Sequence, residues 1–190
     1  GKYILEDFCG IAVDVEPSSE YIYRKTVIDE NTLVIGVSQS GETADTLTAI
    51  KQSKTKGSHV LIITNRPDSA MAREADSLIS VCAGIEVSVA ATKSYMAQLV
   101  SFYMLALYMA EIKGSMDKNL LIDLKKELIK LPEKAEEILA QESQVKLCAR
   151  KYANAKNFVY IARGINYATA LEGALKLKEI SYINATGYPA

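Results

Sequence analysis

Leu33-Val34-Ile35-Gly36-Val37-Ser38-Gln39-Ser40-Gly41-Glu42-Thr43 decides the fold. An apolar, β-rich run stops at a cluster of small hydroxyl residues, and a helix-like segment, Ala44 to Lys54, follows at once. This is the pattern of a buried parallel strand, a tight loop and a helix N-terminus. A helix N-terminus carries unsatisfied N–H groups and a partial positive charge, which suit an anion. Ser38, Ser40 and Thr43 add hydroxyl donors, and Gly41 lets the backbone come close to a ligand. A lone Ser or Thr there would be an N-cap and nothing more. Three hydroxyls and a glycine within six positions read instead as a phosphate cradle.

Working outward, Lys2–Cys9 predicts helical turns closed by Gly10, and Ile11–Glu16 alternates apolar and acidic residues like a short strand. Pro17–Glu30 reads as a loop. His59–Thr64 is a second continuous β-rich run, Asn65–Asp68 a turn, Ser69–Ala75 a short helix and Leu78–Val81 a further strand. Strands alternating with helices at this spacing predict an α/β fold with a doubly wound parallel sheet. In such sheets ligands bind beyond the carboxyl ends of the strands, where Ser38–Thr43 and Thr64–Asn65 both fall.

After an irregular segment, Cys82–Ala91, Thr92 opens a long apolar helix that Gly114 ends. Its most lipid-like part, Met96–Ala110, is shorter than the ~20 residues needed to span a bilayer and reads as a buried core helix. Ser115 or Asp117 is placed to cap the next helix, whose Leu120, Leu121, Leu124 and Leu128 share one face. Pro132 suits the first turn of another helix, with Glu133–Asn154 following as a charged, solvated stretch. Asn157–Ala162 is a strand again, Arg163–Asn166 a turn, and Tyr167–Tyr182 a helix. A second strand–glycine loop–helix unit therefore begins here, as in a duplication.

The 190 residues are 49% apolar and 24% charged with a net charge of −1, ordinary for a folded α/β protein. No basic block exists, so neither nucleic acid nor an acidic membrane is an expected partner. The three scattered cysteines, Cys9, Cys82 and Cys148, suggest neither a disulfide framework nor a zinc site and fit a reducing cytoplasm. The one histidine, His59, starts an apolar run and reads as structural. There is no G-x-G-x-x-G after a strand and no phosphate loop of the G-x-x-x-x-G-K-[ST] type, which ranks a nucleotide site last. Neither end has the look of a natural terminus.

On the last helix, Glu172, Lys176 and Glu179 lie four and three residues apart, hence on one face. Spacing alone makes them a surface ion pair worth a few tenths of a kcal/mol, roughly. Their place after a strand and glycine turn opens a second reading. An aldose–ketose isomerisation needs a carboxylate to carry a proton between adjacent carbons, and a nearby ammonium to steady the enediolate.

Three runs, Ser38-Gln39-Ser40-Gly41-Glu42-Thr43-Ala44-Asp45-Thr46-Leu47, Ala90-Ala91-Thr92-Lys93 and Ala170-Leu171-Glu172-Gly173-Ala174-Leu175-Lys176-Leu177-Lys178-Glu179-Ile180-Ser181-Tyr182, closely resemble the sugar-isomerase (SIS) half of the glutamine–fructose-6-phosphate amidotransferases, or glucosamine-6-phosphate synthases. The first run is shared by many SIS proteins; the last is far more specific. The resemblance implies a flavodoxin-like SIS fold: a first lobe over 1–115 lacking its first strand, linking helices over 116–155, and the start of a second lobe over 156–190. It implies conversion of fructose 6-phosphate and glutamine to glucosamine 6-phosphate without metal or organic cofactor. Ser38, Gln39, Ser40 and Thr43 would hold the phosphate, and Val89 would contact the sugar through its backbone. Glu179 would be the proton-shuttling base, assisted by Lys176 and supported by Glu172.

The implied partners are the phosphosugar, a glutaminase domain in the parent protein and a second copy in a cytoplasmic homodimer. The family often has Ser at Ala91 and Pro or Thr at Ile85, so one sugar contact departs from the pattern. The resemblance also implies parts that this sequence lacks. These are the glutaminase domain, the first strand with its Gly-Thr-Ser loop, a Glu-Leu-Lys-His-Gly-Pro segment whose His opens the sugar ring, and a C-terminal imine-forming Lys. The expectation is a fragment that binds a sugar phosphate without completing the reaction. Asn157–Ala162 is then a candidate to fill the place of the missing first strand, within the chain or by exchange with a second copy. A non-catalytic phosphosugar sensor and a related amino-sugar-phosphate deaminase or deglycase are the competing readings.

Overall fold

A computed structural model describes residues 1–190. The chain forms two compact units, one of residues 1–6 and 11–106, the other of residues 7–10 and 107–190. In chain order the elements are α1 (Lys2–Cys9), α2 (Ser18–Tyr21), β1 (Leu33–Ser38), α3 (Ala44–Thr55), β2 (His59–Thr64), α4 (Ala70–Glu74), β3 (Ser77–Ser80) and α5 (Lys93–Lys113). Then come α6 (Lys118–Ile129), α7 (Leu131–Leu139), α8 (Glu142–Lys151), β4 (Asn157–Ala162), α9 (Ile165–Ser181) and β5 (Asn184–Pro189).

The first unit is built on a parallel sheet in the order β1-β2-β3. β2 lies in the middle with both edges paired, and Val60, Leu61, Ile62 and Ile63 are all buried. Cover on both faces is what its unbroken apolar run foretold. On one face Val60 and Ile62 pack with Ile50 of α3 and Met71 of α4, and half-buried Val34, Leu47 and Ala75 close the cluster. α3 comes so close to the sheet that a Cβ on Gly36 would meet Ile62 Cδ1 at 2.6 Å and Ile50 Cδ1 at 3.1 Å. The register aligns Ser38 with Thr64 and Thr64 with Ser80, so the loops after all three strands leave the same edge.

Ile11–Glu16 is not a strand. Its N–H groups are taken locally: Val13 N donates to Glu6 Oε1 at 3.2 Å and Val15 N to Asp14 Oδ1 at 3.0 Å. Arg24 then holds Asp14 and Glu16 as ion pairs. Side chains have replaced the ladder that the alternation suggested. The loop that follows contains one turn of helix, α2, held to α3 by Ser18–Thr46 and Tyr21–Ser53 hydroxyl bonds.

α5 is apolar all round, and by length and composition it could cross a membrane, but only 22% of its most apolar window is buried. Ser94, Ser101, Ala106, Leu107 and Ala110 are inside, whereas Met96, Met104, Tyr108 and Ile112 are exposed. The expected buried core helix is therefore only partly buried, its early turns on the side of Ser94 and Ser101 and its later turns on the opposite side, at Ala106, Leu107 and Ala110.

In the second unit β4 pairs in parallel with β5, Phe158 opposite Ala185 and Ile161 opposite Tyr188. This corrects the within-chain form of the expectation that Asn157–Ala162 fills a place in the first sheet: within this chain its partner is β5, which the sequence reading passed over. Asn-Ala-Thr-Gly-Tyr-Pro has weak strand propensity; pairing with β4 and cover from α9 decide it. Ala170, Ala174 and Ala185 are buried, and α9 lies so close that a Cβ on Gly187 would meet Leu171 at 3.0 Å. α6 is capped by Asp117, which accepts from Asn119 N and Leu120 N. Glu133–Asn154 is not one helix but parts of α7 and α8, neither of which buries a residue.

Candidate functional site

The loop between β1 and α3 begins with Ser38, buried at the strand's end. Ser38 Oγ accepts from Gly41 N at 3.0 Å and shares a 3.3 Å hydrogen bond with Thr43 Oγ1. Ser40 Oγ accepts from Glu42 N at 3.2 Å, which leaves its own hydrogen available to donate. Of the Ser38–Thr43 pair, one hydrogen is used between them and the other stays available. Gly41 has φ +66, and a Cβ there would fall 2.1 Å from Ser69 Oγ. Only glycine fits both the left-handed backbone and the space.

Thr43 stands at the N-cap of α3, yet its side chain makes no capping bond; its hydroxyl turns to Ser38 instead. The first N–H groups of α3 are thus left uncapped beside the hydroxyls, the arrangement that receives an anion. The sequence reading of Ser38, Ser40, Gly41 and Thr43 as one cluster matches this geometry. It missed the supports. Glu42 Oε1 accepts from Ala70 N at 2.8 Å, and Gly41 O accepts from Met71 N at 3.1 Å, which fixes the loop onto the start of α4. Gln39 O accepts from Asn65 N at 3.2 Å and from Thr64 Oγ1 at 3.2 Å.

Val89 lies in the irregular segment after β3, almost fully exposed at 95%, between exposed Ile85, Val87 and buried Ala90. Glu86 anchors this segment. Its carboxylate accepts from Ser94 Oγ at 2.6 Å, Ser94 N at 3.1 Å, Thr92 N at 3.3 Å and Thr92 Oγ1 at 3.3 Å. Hydrogen bonds from the Ser94 hydroxyl and N–H, then from Thr92, hold its pKa down to about 2. Glu86 therefore caps α5 from six residues before Thr92, a separation for which no local capping pattern exists in sequence.

In the second unit Glu172, Lys176 and Glu179 do share one face of α9. Lys176 Nζ lies 2.6 Å from Glu179 Oε2 and 3.4 Å from Glu172 Oε1, with all three side chains half-buried. Burial pushes the Lys176 ammonium down, but the hydrogen bond to Glu179 and the charge of Glu172 outweigh it and hold its pKa above the usual lysine value. Lys176 is a fixed cation, suited to stabilising negative charge and unsuited to accepting a proton. Lys178 points elsewhere, exposed.

The arrangement defines a class: parallel-sheet domains with a hydroxyl-rich loop after the first observed strand. The SIS domain family profile matches residues 1–108 and 151–190, and the chain belongs to that family. At the level of particular proteins, the chain is 47% identical over 190 residues to the isomerizing glutamine–fructose-6-phosphate aminotransferase of Clostridium tetani, covering 100% of this chain and 31% of that protein. It spans about a third of the length of the curated relatives it matches. Among solved structures it is similar to the C-terminal domain of glucosamine-fructose-6-phosphate aminotransferase from Francisella tularensis, with TM-score 0.96, 35% identity and coverage of 99% of this chain and 53% of that one. A glucosamine-6-phosphate deaminase from Thermotoga maritima shares the fold, with TM-score 0.79 at 22% identity, covering 100% of this chain and 56% of that one.

Proposed function

We propose that this chain binds fructose 6-phosphate as the isomerase part of a glucosamine-6-phosphate synthase, which converts fructose 6-phosphate and glutamine to glucosamine 6-phosphate and glutamate. The observation that carries the reading is the uncapped N-terminus of α3 beside the hydroxyls of Ser38, Ser40 and Thr43. Helix N–H groups and hydroxyl hydrogens would together hold the phosphate, joined by the side-chain amide of Gln39. Val89 would offer its backbone to the sugar. On α9, Glu179 would carry the proton between the two carbons, while Lys176 stabilises the enediolate and Glu172 keeps Lys176 charged and in place. The likeness to the named aminotransferases over the whole chain supports the assignment of substrate.

A second reading, a phosphosugar-binding module without turnover, is favoured by one observation: Lys176 is engaged by both carboxylates, as in a helix-stabilising ion pair. Homodimerisation is also proposed, supported by the exposed Met104, Tyr108 and Ile112 at four-residue intervals on α5. The three cysteines, Cys9, Cys82 and Cys148, scattered along the chain, support a cytoplasmic setting. By the same reading, residues 1–115 are a first SIS lobe, 116–155 linking helices and 156–190 the opening of a second lobe.

Calorimetric titration with fructose 6-phosphate, beside fructose and inorganic phosphate, tests the binding step. Saturable binding of the phosphosugar that Ser40→Ala weakens about tenfold or more is expected, the effect of losing one charge-assisted hydrogen bond. Equal affinity of the variant would remove the cradle from the argument. Exchange of a C1 hydrogen of fructose 6-phosphate with deuterated solvent separates the two readings: an isomerase part gives exchange that Glu179→Gln abolishes, and a binding module gives none.

A further inference from the structure

Because the strands of the first unit end in register at Ser38, Thr64 and Ser80, the next residues of all three stand side by side at one edge. The middle one is Asn65, bonded to Gln39 on one side and, past Val81 on the other, to Ala83 and Gly84. Its backbone N–H donates to Gln39 O at 3.2 Å, in the cradle loop. Its side-chain amide reaches the other way and uses both of its ends: Nδ2 donates to Gly84 O at 2.6 Å, and Oδ1 accepts from Ala83 N at 2.8 Å. No other side chain hydrogen-bonds the backbone of Cys82–Ile85.

The segment is thereby pinned at two places. Asn65 holds Ala83 and Gly84, and Glu86 holds Thr92 and Ser94. Between and around these pins Ile85, Val87 and Val89 stand 81%, 90% and 95% exposed, so packing does not fix their backbone. Cys82 has φ +51, a conformation that a non-glycine residue in a freed chain would leave. The two hydrogen-bonded pins and the buried Ala90 together set where the main chain of Val87–Val89 runs.

The geometry points to Asn65 as a positioning residue that ties the sugar-contacting segment to the phosphate loop, so that phosphate affinity and sugar affinity are set by separable parts. Asn65 does not touch substrate in this account. It fixes Val89 relative to the cradle through Gln39 on one side and Gly84 on the other. The inference rests on the fructose 6-phosphate reading above.

Asn65→Asp is nearly isosteric but turns the donor that faces Gly84 O into an acceptor. The whole chain, wild type and variant, is titrated with fructose 6-phosphate and with inorganic phosphate, and amide hydrogen exchange is followed along residues 82–91. Expected are faster exchange confined to 82–91, phosphate affinity within twofold of wild type, and fructose 6-phosphate affinity reduced about tenfold. A merely structural role would weaken both ligands by the same factor and raise exchange across β1–β3; either result overturns the inference. So does unchanged fructose 6-phosphate affinity. If Asn65→Asp does not fold, Glu86→Gln loosens the other pin and must show the same split between ligands. Wild type that binds neither ligand sinks the function and this inference together. Wild type that binds, with no split in the variants, sinks the inference alone.

Discussion

Gly41 is the residue on which the Ser38–Thr43 loop, the proposed phosphate cradle, turns. Alanine there must adopt φ +66 and place its Cβ 2.1 Å from Ser69 Oγ, in a residue that is itself 2% exposed. Left-handed strain and overpacking together cost about 3 kcal/mol. Gly41→Ala should therefore lower the thermal midpoint by several degrees and abolish phosphosugar binding; a variant as stable as wild type would contradict the contact. Glu86 gives a prediction in pH. Its native pKa of about 2 lies below the ordinary 4.5, so protonation favours the unfolded chain. Its contribution is intact above about 4.5 and is lost as pH falls towards 2. The stability gap between wild type and Glu86→Gln should be open at pH 6 and narrow steadily between pH 4.5 and pH 2, as read by denaturant titration at each pH.

At the scale of elements, caps show what each helix end is for. α6 is capped in the ordinary way: Asp117 takes Asn119 N and Leu120 N. Asp117→Ala should cost about 1 kcal/mol in chemical denaturation and leave ligand binding alone. α3 differs, since Thr43 gives its hydroxyl to Ser38 and leaves the helix N-terminus uncapped. The site elements were legible because each carries a local signature: β2 its continuous apolar run, α3 its hydroxyl cluster, α9 its i, i+3, i+4 charges. Ile11–Glu16 misled because alternation states a preference, and side chains of Glu6 and Asp14 met it without a partner strand. β5 escaped because its strand character comes from β4 and α9, not from its own residues.

Over the whole molecule, burial is uneven. β2 has Val60, Ile62 and Ile63 at 0% exposure, whereas α7 and α8 bury nothing and show Ile138, Leu139, Val145 and Leu147 to solvent. Hydrogen exchange should therefore find the amides of Val60–Ile63 the slowest and those of α7 and α8 among the first to exchange. Protection of α7 equal to that of β2 would show that another chain covers it. The sequence by itself determined the parallel α/β class, the hydroxyl loop and the shared face of Glu172, Lys176 and Glu179, since these depend on period and spacing along a few turns of chain. Tertiary structure alone decided that β4 pairs with β5, that Glu86 caps α5, and that Asn65 bridges Gln39 and Gly84. Those contacts join residues outside the three- and four-residue spacings of local structure, some of them far apart in the chain, and a hydrogen bond between them leaves no periodic mark for a sequence to carry.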